Sequence, residues 1–168
     1  ELPSWLGESF AWDFETTGLS YTNDRTVGIA LTFADGRSYY IVFEHTVEDG
    51  EGTRLDTFCD RRVIARECLR PLFAQSDRTA VAHNTRFDLH FLRRLGVDCR
   101  STLADTMLAA QLVDENRSVS LKQLSPLVGM NLNQYSSLQA YPGFGKHEIL
   151  GVPLNLVADY AMDDTEAT

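Results

Sequence analysis

At 168 residues the chain is one domain's worth of polypeptide, long enough to bury a proper core. Its hydrophobic content of 43% and charged content of 23% are ordinary for a soluble globular protein, and no run is long or apolar enough to span a membrane. The net charge of −9 leaves out the basic footprint from which nucleic-acid binders are usually read. An acidic balance is still compatible with nucleic acid where metal ions meet the phosphate. It predicts weak binding by this domain alone and a partner domain that supplies positive charge. Cys59, Cys68 and Cys99 are odd in number and form no close pair. They fit neither a disulfide framework nor a zinc site and suggest a reducing, intracellular compartment. No signal-peptide pattern is present. The chain starts at Glu1 rather than Met and stops at Thr168 inside an expected helix, so an excerpt from a longer polypeptide is expected.

In chain order, Glu1 to Ser9 reads as an opening segment. Phe10 to Glu15 is the first strand, apolar and aromatic, interrupted by carboxylates at Asp13 and Glu15. Side chains alternate along a strand, so these two acids share a face. Like charges there are unfavourable unless a cation sits between them, and oxygen ligands of this kind suit Mg²⁺ or Mn²⁺. An edge strand with an acidic outer face explains the pair equally well. Gly18 to Arg25 is a polar turn. Val27 to Phe33 and Ser38 to Phe43 are two further strands joined at Asp35-Gly36, giving an antiparallel meander. Glu44 to Asp60 reads as an acidic loop.

Arg61 to Phe73 has helical spacing, with Ile64, Cys68, Leu69 and Leu72 on one side. Thr79 to Ala82 is a short fourth strand. A helix follows from about Thr85 to Leu95, burying Phe87, Phe91, Leu92 and Leu95 and ending at Gly96. Leu103 to Val113 contains another helix, with Asp105 as its cap. Ser120-x-x-Gln123 has the form of a capping box, and Gly129 stops the apolar run after it. Asn131 to Gly151 reads as a loop or mobile insert. Pro153 opens a last helix. A meander followed by alternating strands and helices predicts an α/β domain with a mixed sheet, the first strand central.

Other polar positions carry two readings each. Asp88 lies on the first turns of its helix, four residues after Asn84. It flanks the buried stripe, yet a first-turn acid that favours the helix dipole would look the same. Tyr160 and Asp164, four apart, share a face of the final helix. A core aromatic and a solvated acid would share that spacing too. His83, His90 and His147 sit at unrelated spacings and read as solvated or satisfied side chains.

Asp13-x-Glu15, Asn84-x-x-x-Asp88 and Tyr160-x-x-x-Asp164 together resemble the three motifs of the DEDD exonuclease superfamily. The chain is most similar to the 3′→5′ proofreading exonuclease domain of family A DNA polymerases. The resemblance runs from Phe10 to Thr168 through Phe10-Ala-Trp-Asp-Phe-Glu-Thr-Thr, His83-Asn-Thr-Arg-Phe-Asp88, Asp105-Thr-Met-Leu108 and Tyr160-Ala-Met-Asp-Asp-Thr165. Asp159 stands where one branch of the superfamily has histidine, and Tyr160 fits the tyrosine branch. The Asn131 to Gly151 segment departs from the family pattern.

The resemblance implies a ribonuclease H-like fold and hydrolysis of single-stranded or frayed DNA from the 3′ end. It also implies one exonuclease domain over residues 1–168, within a longer polymerase chain. Two divalent metals, Mg²⁺ or Mn²⁺, would be held by Asp13, Glu15, Asp88 and Asp164, with Asp13 bridging. Tyr160 and Glu15 would orient the attacking water, while Thr16, Leu19, Asn84 and Phe87 would touch the terminal nucleotides. An exoribonuclease of the RNase D type is the rival enzyme. A nuclease-like domain that has lost activity and serves as a docking module is the rival from another class.

Overall fold

The computed structural model describes residues 9–49, 52–132, 135–141, 144 and 148–168. β1 (Ser9–Thr16), β2 (Thr26–Phe33) and β3 (Ser38–Val42) form the expected antiparallel meander. β6 (Thr79–Ala82) and β7 (Thr102–Asp105) add in parallel on the other side of β1, giving a five-stranded mixed sheet in the order β3-β2-β1-β6-β7. β1 is central, as its apolar, aromatic sequence implies. Phe10, Trp12 and Phe14 point to one face and are buried, whereas Ala11 and Asp13 point to the other.

The aromatic face of β1 builds the main core. Phe73 meets Phe10 at 5.1 Å and Trp12 at 4.9 Å, both edge to face. Each such buried ring contributes on the order of 2 kcal/mol by area. Two helical layers cover this face. One runs from α1 (Arg61–Ile64) through a π turn (Ala65–Leu69) into α2 (Arg70–Phe73). The helix expected over Arg61 to Phe73 is therefore present but interrupted. Pro71 has no N–H to donate back into the preceding turn, and the wider turn absorbs that loss. The other layer is α3 (Thr85–Arg94), which buries Phe91 and Leu92.

The opposite face carries α7 (Leu154–Ala167), which packs over β1, β2 and β3. Val157 and Tyr160 of α7 join Val27, Leu138, Ile149, Leu150 and Val152 in a second apolar cluster. Thr165 Oγ1 lies 2.8 Å from Thr32 Oγ1 and fixes α7 to β2. Among the described residues no helix is long and apolar enough to cross a membrane.

Four expectations are corrected. Glu44 to Asp60 is mostly not a loop: β4 (Glu44–Asp49) and β5 (Gly52–Thr57) pair as a separate antiparallel ribbon. Both of its strands are largely polar in sequence, so no apolar period marks them. The stretch Leu103 to Val113 contains the expected helix only from Thr106, and its first residues belong to β7. β7 is a four-residue edge strand whose first two residues are exposed, too short to show alternation. Ser120 does precede α5 (Leu121–Leu124), but its side chain makes no capping hydrogen bond. The segment Asn131 to Gly151 contains α6 (Tyr135–Gln139) and a 3-10 turn at Glu148–Gly151, both contributing to the second cluster. Other parts of that segment, with His147 and the opening residues 1–8, lie outside the described residues.

Candidate active site

The parallel ladder between β1 and β6 ends at Ala11 and Val81. Beyond it the β1 backbone has no strand partner on that side, and its free N–H groups need acceptors. Asp88 supplies one: its Oδ1 accepts the Phe14 N–H at 3.0 Å, between Asp13 and Glu15 in sequence. Asp88 is only 1% exposed. It is therefore no solvated first-turn acid, although it does lie in the first turn of α3.

The start of α3 is fixed by its neighbours. Asn84, left-handed at φ 72°, turns the chain from β6 into the helix. Asp105 then serves two helices at once. Its carboxylate accepts from the N–H groups of Asn84 (3.2 Å) and Thr85 (2.9 Å), and from those of Met107 (2.9 Å) and Leu108 (3.2 Å). The expected cap is thus doubled, locking α3 to α4 (Thr106–Val113).

From the other side, α7 brings Tyr160 and Asp164 over the acidic face of β1. Asp13, Glu15, Tyr160 and Asp164 line one cleft of about 280 Å³, with His83 and Lys122. The His83 ring is satisfied, at 2.9 Å from Thr106 Oγ1 and 2.8 Å from the Val119 carbonyl, as expected of a structural histidine. Lys122 is the residue that sequence reasoning missed. Its ammonium donates to Asp164 Oδ1 and lies 4.1 Å from the Tyr160 ring centroid. It is 13% exposed. A single lysine on a four-residue helix has no spacing that could have flagged it.

The electrostatics follow from crowding. Burial pushes the Asp13 carboxyl up to about 7, with Lys122 pulling it back. Burial and then the Asp13 charge push Glu15 to about 8, again against Lys122. Asp88 is raised well above the usual carboxylate range by burial, with Asp13 adding to it and the Phe14 N–H opposing. Burial lowers Lys122 to about 8, while Glu15 and Asp13 favour its charge. Three carboxyl groups are thus held where they resist ionising.

Next to Glu15, across β2, Gly28 has a definite role. A Cβ there would lie 2.3 Å from the Tyr40 hydroxyl, so only glycine leaves the Tyr40 ring its place. Burial, then Glu15 and Asp13, push the Tyr40 hydroxyl above its ordinary range.

A second cleft, of about 490 Å³, shares Glu15 with the first. Thr16, Leu19 and Phe87 line it, as do Phe144 and Glu148. Leu19 is 87% exposed at the rim of this cleft. Of the expected substrate contacts, Thr16, Leu19 and Phe87 are brought together here. Asn84 does not line it; its observed part is the backbone turn into α3.

Asp13, Glu15, Asp88 and Asp164 offer only hard oxygen donors, the kind that Mg²⁺ or Mn²⁺ takes. Acids that resist ionising are also what a divalent cation would relieve. Among the described residues no three acidic, histidine or cysteine side chains stand as a ready-made metal cluster. Lys122 is the cation that Asp164 engages.

Comparison with known proteins adds the following. A family model described as 3'-5' exonuclease matches residues 5–168. DNA polymerase I of Chloroflexus aurantiacus is 29% identical over 158 residues, 93% of this chain. The Borreliella burgdorferi DNA polymerase I is 25% identical over the same length and share. The chain spans 16% of the length of each polymerase. Among solved structures, Brucella melitensis NrnC superposes with a TM-score of 0.67 and 20% identity, over 97% of this chain and 69% of that one. At this identity the likeness speaks for the fold, which is ribonuclease H-like.

Proposed function

This chain belongs to the 3'-5' exonuclease family, and on that premise we propose that it removes nucleotides from the 3′ end of single-stranded or frayed DNA. It would release nucleoside monophosphates and serve a polymerase in proofreading. The observation that carries this reading is one cleft lined by Asp13, Glu15, Asp164 and Tyr160, with Asp88 bound to the strand between the first two.

In this reading Asp13, Glu15, Asp88 and Asp164 hold divalent cations. Bound there, these supply Lewis acidity and lower the pKa of a water to near neutral. The chain's own residues do the rest. Leu19 and Phe87 hold the terminal base, whose π face any apolar surface accepts. Glu15 lines both clefts and so sits between the base and the scissile phosphate. The Tyr160 hydroxyl orients the attacking water, and its value is positional. Lys122 offsets negative charge as the phosphate enters. Three unpaired cysteines suit a reducing interior.

Tyr160→Phe keeps the ring under Lys122 and removes the hydroxyl. Hydrolysis should slow by roughly 10–10³-fold, the scale of one lost orienting hydrogen bond in a preorganised site. Mn²⁺ binding by calorimetry should be unchanged. An unaltered rate, or lost Mn²⁺ binding, counts against this role.

The function itself is tested by digesting labelled single strands of DNA and RNA, with Mg²⁺ or EDTA. We expect stepwise shortening of DNA from the 3′ end in Mg²⁺ only. Mispaired primer ends should be cut faster than paired ones, because melting a paired end costs a few kcal/mol. Preference for RNA would favour the RNase D-type reading, and no digestion of either would favour a docking module.

A further inference from the structure

We propose that Tyr21, held flat against His90, is a stacking platform for the second or third base of the strand whose 3′ end enters the cleft at Leu19. We further infer that the strand continues from it into an arginine-lined cleft. The inference rests on the exonuclease reading above.

Three observations carry it. First, the two rings stack at 4.1 Å and 13°, and Tyr21 is 45% exposed. A tyrosine stacked on one ring and still 45% exposed presents a surface of the kind bases stack on, whatever their identity. Second, the pair adjoins the terminal-base cleft. Tyr21 lies two residues beyond Leu19, and His90 lies three residues beyond Phe87, hence on the same stripe of α3. That offset is about 4.5 Å along the helix, within reach of a neighbouring nucleotide. Third, the stripe ends at Arg94. Its guanidinium donates to the Tyr21 carbonyl at 2.7 Å and to the Asp24 carbonyl, pinning the loop that carries the platform.

Arg94 also lines a third cleft, of about 540 Å³, with Arg61 and Arg62. Asp60 is there too, but its carboxylate accepts the Arg62 N–H at 2.8 Å as the cap of α1. Arg61 is paired with Glu44, whereas Arg62 and Arg94 have no ion pair among the described residues. In a chain of net charge −9, two arginines without acidic partners beside an open aromatic ring favour a phosphate backbone. The opposite wall of the terminal-base cleft ends instead at Glu148, which would repel it.

The test uses single-stranded DNA with 2-aminopurine at successive positions from the 3′ end. It is titrated in EDTA, where nothing is hydrolysed. Stacking on Tyr21 should quench the probe at position two or three in the wild-type chain and in Tyr21→Phe. Tyr21→Ala should remove that quench and weaken binding roughly tenfold, the scale of one lost base–aromatic stack. Arg62→Gln should flatten the dependence of log affinity on log salt by about 0.7, one single-strand phosphate contact. A quench that Tyr21→Ala leaves intact, or that occurs at neither position, overturns the platform. An unchanged salt slope overturns the continuation into the arginine cleft. Hydrolysis in Mg²⁺ is read separately: a Tyr21-dependent quench without hydrolysis keeps the platform and defeats the exonuclease reading.

Discussion

The double substitution Asp13→Ala with Glu15→Ala should abolish nuclease activity and leave a protein at least as stable as the wild type. Both acids lie on the non-aromatic face of β1, and neither is part of the core built on Phe73. Burial has lifted both from the usual carboxylate range, so each charge is held against its preference. Alanine removes that cost while leaving Phe10, Trp12 and Phe14 in place. Asp164 remains to pair with Lys122, so no orphaned cation is created. Activity should fall by about 10⁴-fold or more, since two of the four proposed cation ligands are lost, one of them also the proposed orienting group. Thermal unfolding in EDTA at pH 8 should show an equal or higher Tm. Residual exonuclease activity near wild type would sink the site assignment; a sharply lower Tm would sink the account of its energetics.

The second large effect is a pair of opposite pH dependences: the stability of the metal-free protein falls as pH rises, while its affinity for the cation climbs. Folding raises the pKa of Asp13 from 3.8 to about 7 and that of Glu15 from 4.5 to about 8. Between roughly pH 4 and pH 8 the folded state therefore binds more protons than the unfolded one. Stability in EDTA then falls as pH rises through that window. Lys122, lowered from 10.5 to about 8, acts in the opposite sense, but only above pH 8. Cation binding must displace the carboxyl protons, so Mn²⁺ affinity should climb about a hundredfold or more from pH 6 to pH 8. Calorimetry in two buffers of different ionisation enthalpy would count the protons released. Affinity that is flat over this range would mean that these carboxyl groups are not the ligands.

The sequence was most legible where one element carries its own period. β1 alternates aromatic and acidic residues, and that alternation placed both the core and the acids. Asp105 was readable as a cap because caps are local. The position of Asp88 was ambiguous because its partner, the Phe14 N–H, is 74 residues away and becomes free only where the β1–β6 ladder ends. Lys122 was illegible for a similar reason: its partner lies 42 residues on, and nothing nearby marks it. The ribbon of β4 and β5 was hidden because its largely polar sequence shows no apolar alternation to detect. The lining contributed by Phe144 and Glu148 fell in a segment whose contacts are tertiary.

The contact between Gly28 and Tyr40 makes the packing beside Glu15 depend on an omission. Glu15 faces Gly28 across the β1–β2 ladder, and Gly28 faces Val42 across the next. A methyl group at residue 28 would collide with the Tyr40 hydroxyl at 2.3 Å, and a ring displaced from there has the acidic face of β1 beside it. The surroundings of Glu15 are thus set partly by a strand that contributes no acid to the candidate site. A mutational survey confined to charged side chains would call β2 inert. The smallest possible addition to the chain, one carbon at residue 28, should register in that survey as loudly as the loss of a carboxylate.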